Sequence, residues 1–135
     1  MKLTKIALII IQLLVMLNAF GGGWYGMAGA PGVDPAWLDG SPFSSYFVPA
    51  LFLFVAIGGG MLVATIAWWR KTSLAPWISL GMGGLVMLWI VVQLAIIGSV
   101  SPLQPISFVA GAAIATLAAV LLRAERRRAR VGATA

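Results

Sequence analysis

Long apolar runs alternate with short polar segments four times along the chain. At the helical rise of about 1.5 Å per residue, each run is long enough to cross a hydrocarbon layer of about 30 Å. The pattern therefore predicts an all-α membrane protein, in which residues 1–135 form one domain. This domain is an antiparallel four-helix transmembrane bundle with spans at about 4–25, 43–69, 76–98 and 102–123.

The second apolar run is the longest, and its roughly 27 residues outreach the hydrocarbon layer. Pro49 lies about two turns inside this run and removes one backbone donor. We therefore expect a bend at Pro49, near the end of the span that lies away from Arg70 and Lys71. The third and fourth runs open with prolines in first-turn positions, Pro76 and Pro102.

The basic residues predict how the chain crosses the membrane. Under this threading all nine lysines and arginines fall on one side, and the segments on the other side carry none. Because basic segments stay in the cytoplasm, we expect a multi-pass plasma-membrane protein with both termini cytoplasmic. Aromatic side chains are expected at both boundaries, inside at Trp68, Trp69 and Trp77 and outside at Trp24, Tyr25, Trp37 and Tyr46.

The composition agrees with this picture, since 61% of the residues are hydrophobic and only 9% are charged. Cysteine and histidine are both absent, which excludes disulfides, thiol nucleophiles and imidazole ligands. None of the polar side chains at membrane depth is ionisable, so a charge-coupled transporter is not expected. We expect no cofactor. We also expect no nucleic-acid partner, because the membrane topology already accounts for the net charge of +6.

Three carboxamides within the spans are candidate polar contacts: Gln12, Asn18 and Gln93. A carboxamide in hydrocarbon seeks a partner across a helix interface. One hypothesis pairs Gln12 with Gln93 near mid-membrane, and the alternative has the amides line a pocket for a ligand headgroup. Small residues also recur at every fourth position, which suits either bundle packing or a dimer face: Ala56, Gly60 and Ala64 on the second span, and Gly111, Ala115 and Ala119 on the fourth.

The segment at 21–46 is a long outer loop rich in glycine, proline and aromatic residues. Asp34 is a candidate helix N-cap, and Pro35 after it suits the first turn of a helix. Gly40 would end that helix in a left-handed conformation. Together they predict a short interfacial turn at 35–39. Asp34 and Asp39 are the two acids of this loop, and paired acids can hold a cation or act as acid and base. Helix capping already explains Asp34, and turn chemistry beside Gly40 explains Asp39. The candidate contacts of this loop are Asp34, Trp37, Asp39, Phe43 and Tyr46.

A basic tail at 123–135 follows the fourth span, and we expect it to extend that helix into the headgroups. Arginines there stop translocation and attract anionic lipid at about 1 kcal/mol each. A cytoplasmic partner is the alternative for the same side chains. The candidate anionic-lipid or partner contacts are Arg70, Lys71, Arg126, Arg127 and Arg128.

Two stretches carry a resemblance to known sequences: DPAWLDGSPFSSYFVPALFL at 34–53 and WIVVQLAIIGSVSPLQPISFVAG at 89–111. They resemble an uncharacterised family of small bacterial four-span proteins. That family has an SPF-x-x-Y-x-x-P element entering its second helix and an LQP turn before its fourth. The resemblance implies the four-span architecture and a bacterial inner membrane, and it implies no activity.

We expect a non-enzymatic protein that acts by contact, as an accessory or stabilising subunit or a lipid-associated scaffold. Its expected partners are membrane lipids, anionic at the cytoplasmic face, and a membrane-protein partner or a second copy of the chain. The alternative is a binder or carrier of a neutral, lipid-like solute in an inter-helix cavity. An enzyme would rest on Asp34, Asp39, Ser41 and Tyr46, where no histidine can activate the serine.

Overall fold

The computed structural model describes residues 2–29, 47–97 and 103–134, and every regular element in these ranges is a helix. Four of its spans are long and apolar enough to cross a membrane. The prediction of an all-α, four-span fold is therefore confirmed. The interfacial turn at 35–39 lies outside the described residues, and so do the outer-loop contacts Asp34, Trp37, Asp39, Phe43 and Tyr46.

The first helix, α1 (Lys2–Met27), is about 39 Å long and continues through the glycines at 21–23. One of them, Gly23, lets the second span approach closely. A Cβ on Gly23 would lie 2.7 Å from the Cβ of Phe54, which is closer than two carbon atoms can pack. The helix is followed by Gly29, whose φ of 106° lies in the left-handed region that favours glycine.

Three segments form the second span without a break: α2 (Phe47–Phe52), a π-helical segment (Leu53–Gly58) and α3 (Gly59–Trp69). Pro49 falls in the first described turn of α2, and the chain around it has regular α geometry. The departure from that geometry begins at Leu53, one turn after Pro49, where we had expected the irregularity to lie at the proline itself. Segments of π-helix are a known cause of bends in helices.

The π-helical segment is also where α1 packs most closely against the second span. The ring of Phe20 lies on Gly58, where a Cβ would approach it to 2.7 Å. The same ring meets Phe54 at a centroid distance of 4.9 Å and an interplanar angle of 55°. The Phe20 ring therefore packs α1 closely against the π-helical segment, at Phe54 and Gly58.

A Schellman-type cap centred on Lys71 ends the second span. The Thr72 amide donates to the Ala67 carbonyl oxygen and the Lys71 amide donates to that of Trp68, both at 3.1 Å. Lys71 has a φ of 54°, in the left-handed region that glycine usually occupies at this position. The cap reverses the chain into the third span, α4 (Ala75–Ile97).

The last helix, α5 (Leu103–Thr134), has 32 residues and is about 48 Å long. A hydrocarbon layer of about 30 Å accommodates less than two thirds of that length. The basic segment at 123–134 continues the same helix.

The four spans pack as a closed bundle in which each has two neighbours. The first span touches the second span and α5, and α4 touches the second span and α5. Within the described helices, neither of the two diagonal pairs makes a close backbone approach. The core between them includes the fully buried Leu8, Met61 and Ile114, while many other large apolar side chains face outward, as lipid contact requires.

Glycines also mark the contact between α4 and α5. A Cβ on Gly83 would lie 2.7 Å from the backbone of both Gly111 and Ala115. Ala64, from the small-residue stripe of the second span, is fully buried as well. These members of both stripes pack inside the bundle, which favours the packing interpretation over a dimer face.

Candidate functional site

Gln12 lies at the centre of the bundle and bonds to side chains of two other spans. It is fully buried, and its Nε2 donates to the Oγ of Ser79, which is fully buried on α4. The hydroxyl of Thr65 lies 2.9 Å from the Met61 carbonyl oxygen and 3.4 Å from the Oε1 of Gln12, so both oxygens are within reach of its one proton. This network connects α1 with α4, which face each other across the bundle.

Trp68 joins the same network from α3. Its indole Nε1 donates to the Ser79 Oγ at 2.8 Å, and its side chain is only 5% exposed. Trp68 is therefore a core residue, and our assignment of it to the inner aromatic belt was wrong. Trp69 and Trp77 do face outward, at 86% and 48% exposure, as a belt requires.

The ring of Trp68 forms part of the wall of a partly open pocket at the basic end of the bundle. The Nζ of Lys5 lies over this ring, 5.4 Å from its centroid, in a cation–π contact. The pocket has a volume of about 210 Å³ and combines three cations with one carboxylate. It is lined by Lys2, Lys5, Trp68, Leu121, Ala124, Glu125 and Arg128.

This pocket shows that the amino end of α1, the carboxyl end of α3 and the extension of α5 meet at one end of the bundle. The antiparallel threading predicts that arrangement. Here we call this end of the molecule, with the pocket and residues 70–71 and 123–130, the basic end.

The predicted lipid or partner contacts are spread over the basic end. Arg128 lines the pocket, whereas Arg126 lies over the ring of Trp77, 5.3 Å from its centroid. Arg127, Arg70 and Lys71 are exposed at the surface. The structure thus brings one of these five residues into the pocket and leaves the other four outside it.

Gln12 and Gln93 do not bind each other. Gln12 bonds to Ser79, and Gln93 lies 14 residues further along α4, about 21 Å away. The Oε1 of Gln93 instead accepts from the Nε2 of Gln104 on α5, at 3.5 Å. The hypothesis of a mutual pair was wrong because the two amides lie at different depths of the bundle.

Asn18, the third predicted amide, lies on the exposed surface of α1. Leu14 and Leu17 beside it are more than 60% exposed, and a Cβ on Gly21 would meet nothing within 4 Å. We call these four residues the α1 face. It differs from an ordinary lipid-facing surface in carrying a carboxamide about 20 Å along the helix from Lys5.

Our sequence reasoning did not identify Lys2, Lys5, Ser79 or Trp68 as site residues. A signal for Trp68 was present, because the small-residue stripe of the second span, continued by four residues from Ala64, ends on it. Lys2 and Lys5 are three residues apart, so a helix places them on one face. No sequence pattern indicated that this face would meet α5.

The chain matches no family model, no curated protein and no solved structure.

Proposed function

We propose that this integral membrane protein acts by contact, as an accessory or stabilising subunit without catalytic activity. In this proposal it resides in a bacterial inner membrane with both termini in the cytoplasm. The α1 face binds a helix of a membrane-protein partner or of a second copy. The basic end lies among anionic headgroups.

The observation that supports this proposal best is the position of Asn18. Lipid chains offer no hydrogen bond to a carboxamide, whereas a neighbouring helix does. Gly21, one turn further on, leaves space for that helix to approach closely. A polar side chain beside a small residue on an outward face is typical of contacts between membrane helices.

The carrier of a neutral solute is supported less well. That function needs amides that are available inside a cavity between the helices. Gln12 is fully buried and bonds to Ser79, and Gln93 accepts a bond from Gln104. Both side chains therefore already have partners within the bundle.

Co-purification tests the contact function. We expect the tagged protein, extracted in mild detergent, to retain a reproducible companion or to form a homo-oligomer. Asn18→Leu should lower the retained fraction about threefold, because an interhelical hydrogen bond contributes about 0.6 kcal/mol on average. Asn18→Gln keeps the carboxamide and is the matched control. A monomer without a companion, or equal retention by the Leu and Gln variants, would contradict the proposal.

A further inference from the structure

We infer that the pocket at the basic end binds the phosphate of an anionic phospholipid headgroup. This is a discrete site for one lipid, and it goes beyond the contact function because it requires no protein partner. It differs from the diffuse attraction that any basic tail exerts on an anionic surface. The inference depends on the charges of the pocket, on its aromatic wall and on the apolar surface beside it.

The charges of the pocket select an anion. Lys2 and Lys5 come from the first turns of α1 and Arg128 comes from the extension of α5, whereas Glu125 is the one carboxylate in the lining. Three cations held close together repel one another, and an anion between them relieves that repulsion. Lysine and arginine are also the side chains that bind phosphate oxygens in proteins.

The aromatic wall fixes the position of one of these cations. The indole nitrogen of Trp68 is held by Ser79, which in turn accepts from Gln12. The face of the ring is thereby presented to the Nζ of Lys5 at 5.4 Å. The buried network therefore orients the wall against which Lys5 lies, so this side of the pocket is in place before a ligand arrives.

The surface next to the pocket favours a lipid over free phosphate. Leu3 and Ile6 alternate with the pocket lysines along α1 and are exposed, as is Ile10 one turn further on. These side chains offer an apolar track for acyl chains that leads away from the basic end. A headgroup in the pocket and its chains along α1 would satisfy both surfaces at once.

Native mass spectrometry of the full chain in detergent tests this site, with phosphatidylglycerol and phosphatidylcholine of equal chain length as probes. We expect tighter binding of phosphatidylglycerol. Lys5→Ala and Arg128→Ala should each weaken that binding about fivefold, as expected for the loss of about 1 kcal/mol per cation. Arg127→Ala removes the same charge from the neighbouring position outside the pocket, and it should change the affinity less than twofold. Equal losses from Arg127→Ala and Arg128→Ala, or no preference between the two lipids, would overturn the site.

Two further measurements separate the remaining possibilities. Glu125→Gln removes the carboxylate and should tighten phosphatidylglycerol binding about fivefold, a gain that misfolding cannot produce. An unchanged affinity would contradict the electrostatic argument. Inorganic phosphate in large excess should leave the lipid bound, and displacement of the lipid would reassign the pocket to free phosphate. Lys5→Ala and Arg128→Ala should retain the co-purified companion, so failure of the lipid site leaves the contact function standing.

Discussion

Ser79 holds the buried network together, because two donors from different helices share its oxygen. The Gln12 Nε2 and the Trp68 Nε1 both donate to this Oγ. Removing this acceptor leaves both buried donors unsatisfied. The loss of free energy is larger than when one donor is removed together with the bond it makes.

Ser79→Ala should therefore lower the free energy of unfolding by about 2 kcal/mol, and more than Gln12→Leu does. Ser73→Ala makes the same chemical change in the exposed turn before α4, and it should stay within about 0.5 kcal/mol of the wild type. Reversible unfolding in mixed micelles measures all three variants. If Ser79→Ala and Ser73→Ala unfold alike, Ser79 does not organise the network.

Lys71 combines an unfavourable conformation with a useful charge. Its left-handed φ costs an L-residue about 1–2 kcal/mol, a cost that glycine at the same place would avoid. Glycine would also remove one of the two cations in the turn between the second and third spans. Lysine at this position keeps the positive charge of the turn and accepts the strained backbone.

At the scale of the helices, glycines decide how closely neighbours pack. Gly83 meets the backbone of α5, whereas Gly84 beside it has open space. The two positions therefore form a natural comparison within one helix.

Gly83→Ala should destabilise the bundle by about 1–3 kcal/mol, because the added Cβ would push α4 and α5 apart. Gly84→Ala should leave stability unchanged or raise it slightly, since alanine is the better helix former. Thermal unfolding in detergent compares the two variants. A Gly83→Ala protein as stable as Gly84→Ala would show that the contact between α4 and α5 adapts freely.

The existence of the helices was predictable, and their irregularities were not. Uninterrupted apolar runs permit few alternatives in hydrocarbon, so the four spans followed from hydropathy alone. The π-helical turns at Leu53–Gly58 pack instead against Phe20 and Gly23 of another helix, a contact that hydropathy does not predict. The partner of Gln12 could not be predicted either, because hydropathy does not say which helix faces meet inside the bundle.

At the scale of the whole molecule, the charged side chains of residues 2–29, 47–97 and 103–134 lie at one end of the bundle. The pocket brings the first turns of α1 together with the extension of α5, and the turn that follows α3 carries Arg70 and Lys71. The energetic cost of translocating these groups predicts that this end stays in the cytoplasm.

Cysteine labelling checks this orientation directly, because the chain has no cysteine of its own. Ala28→Cys lies after the far end of α1, and Ser73→Cys lies in the exposed turn at the basic end. A membrane-impermeant maleimide should label Ala28→Cys on intact cells. It should label Ser73→Cys only after the cells are permeabilised. Labelling of Ser73→Cys on intact cells would reverse the proposed topology.

The bond between Gln12 and Ser79 has a geometrical consequence for the cross-section of the bundle. Four parallel rods that touch along the edges of a square can shear into a rhombus without losing any edge contact. A bond between two diagonally opposite helices opposes that shear. The bond between Gln12 and Ser79 is of this kind, because α1 and α4 lie diagonally across the bundle. Loss of either side chain should therefore let the cross-section shear more easily, and so change the outline that a neighbour in the membrane meets.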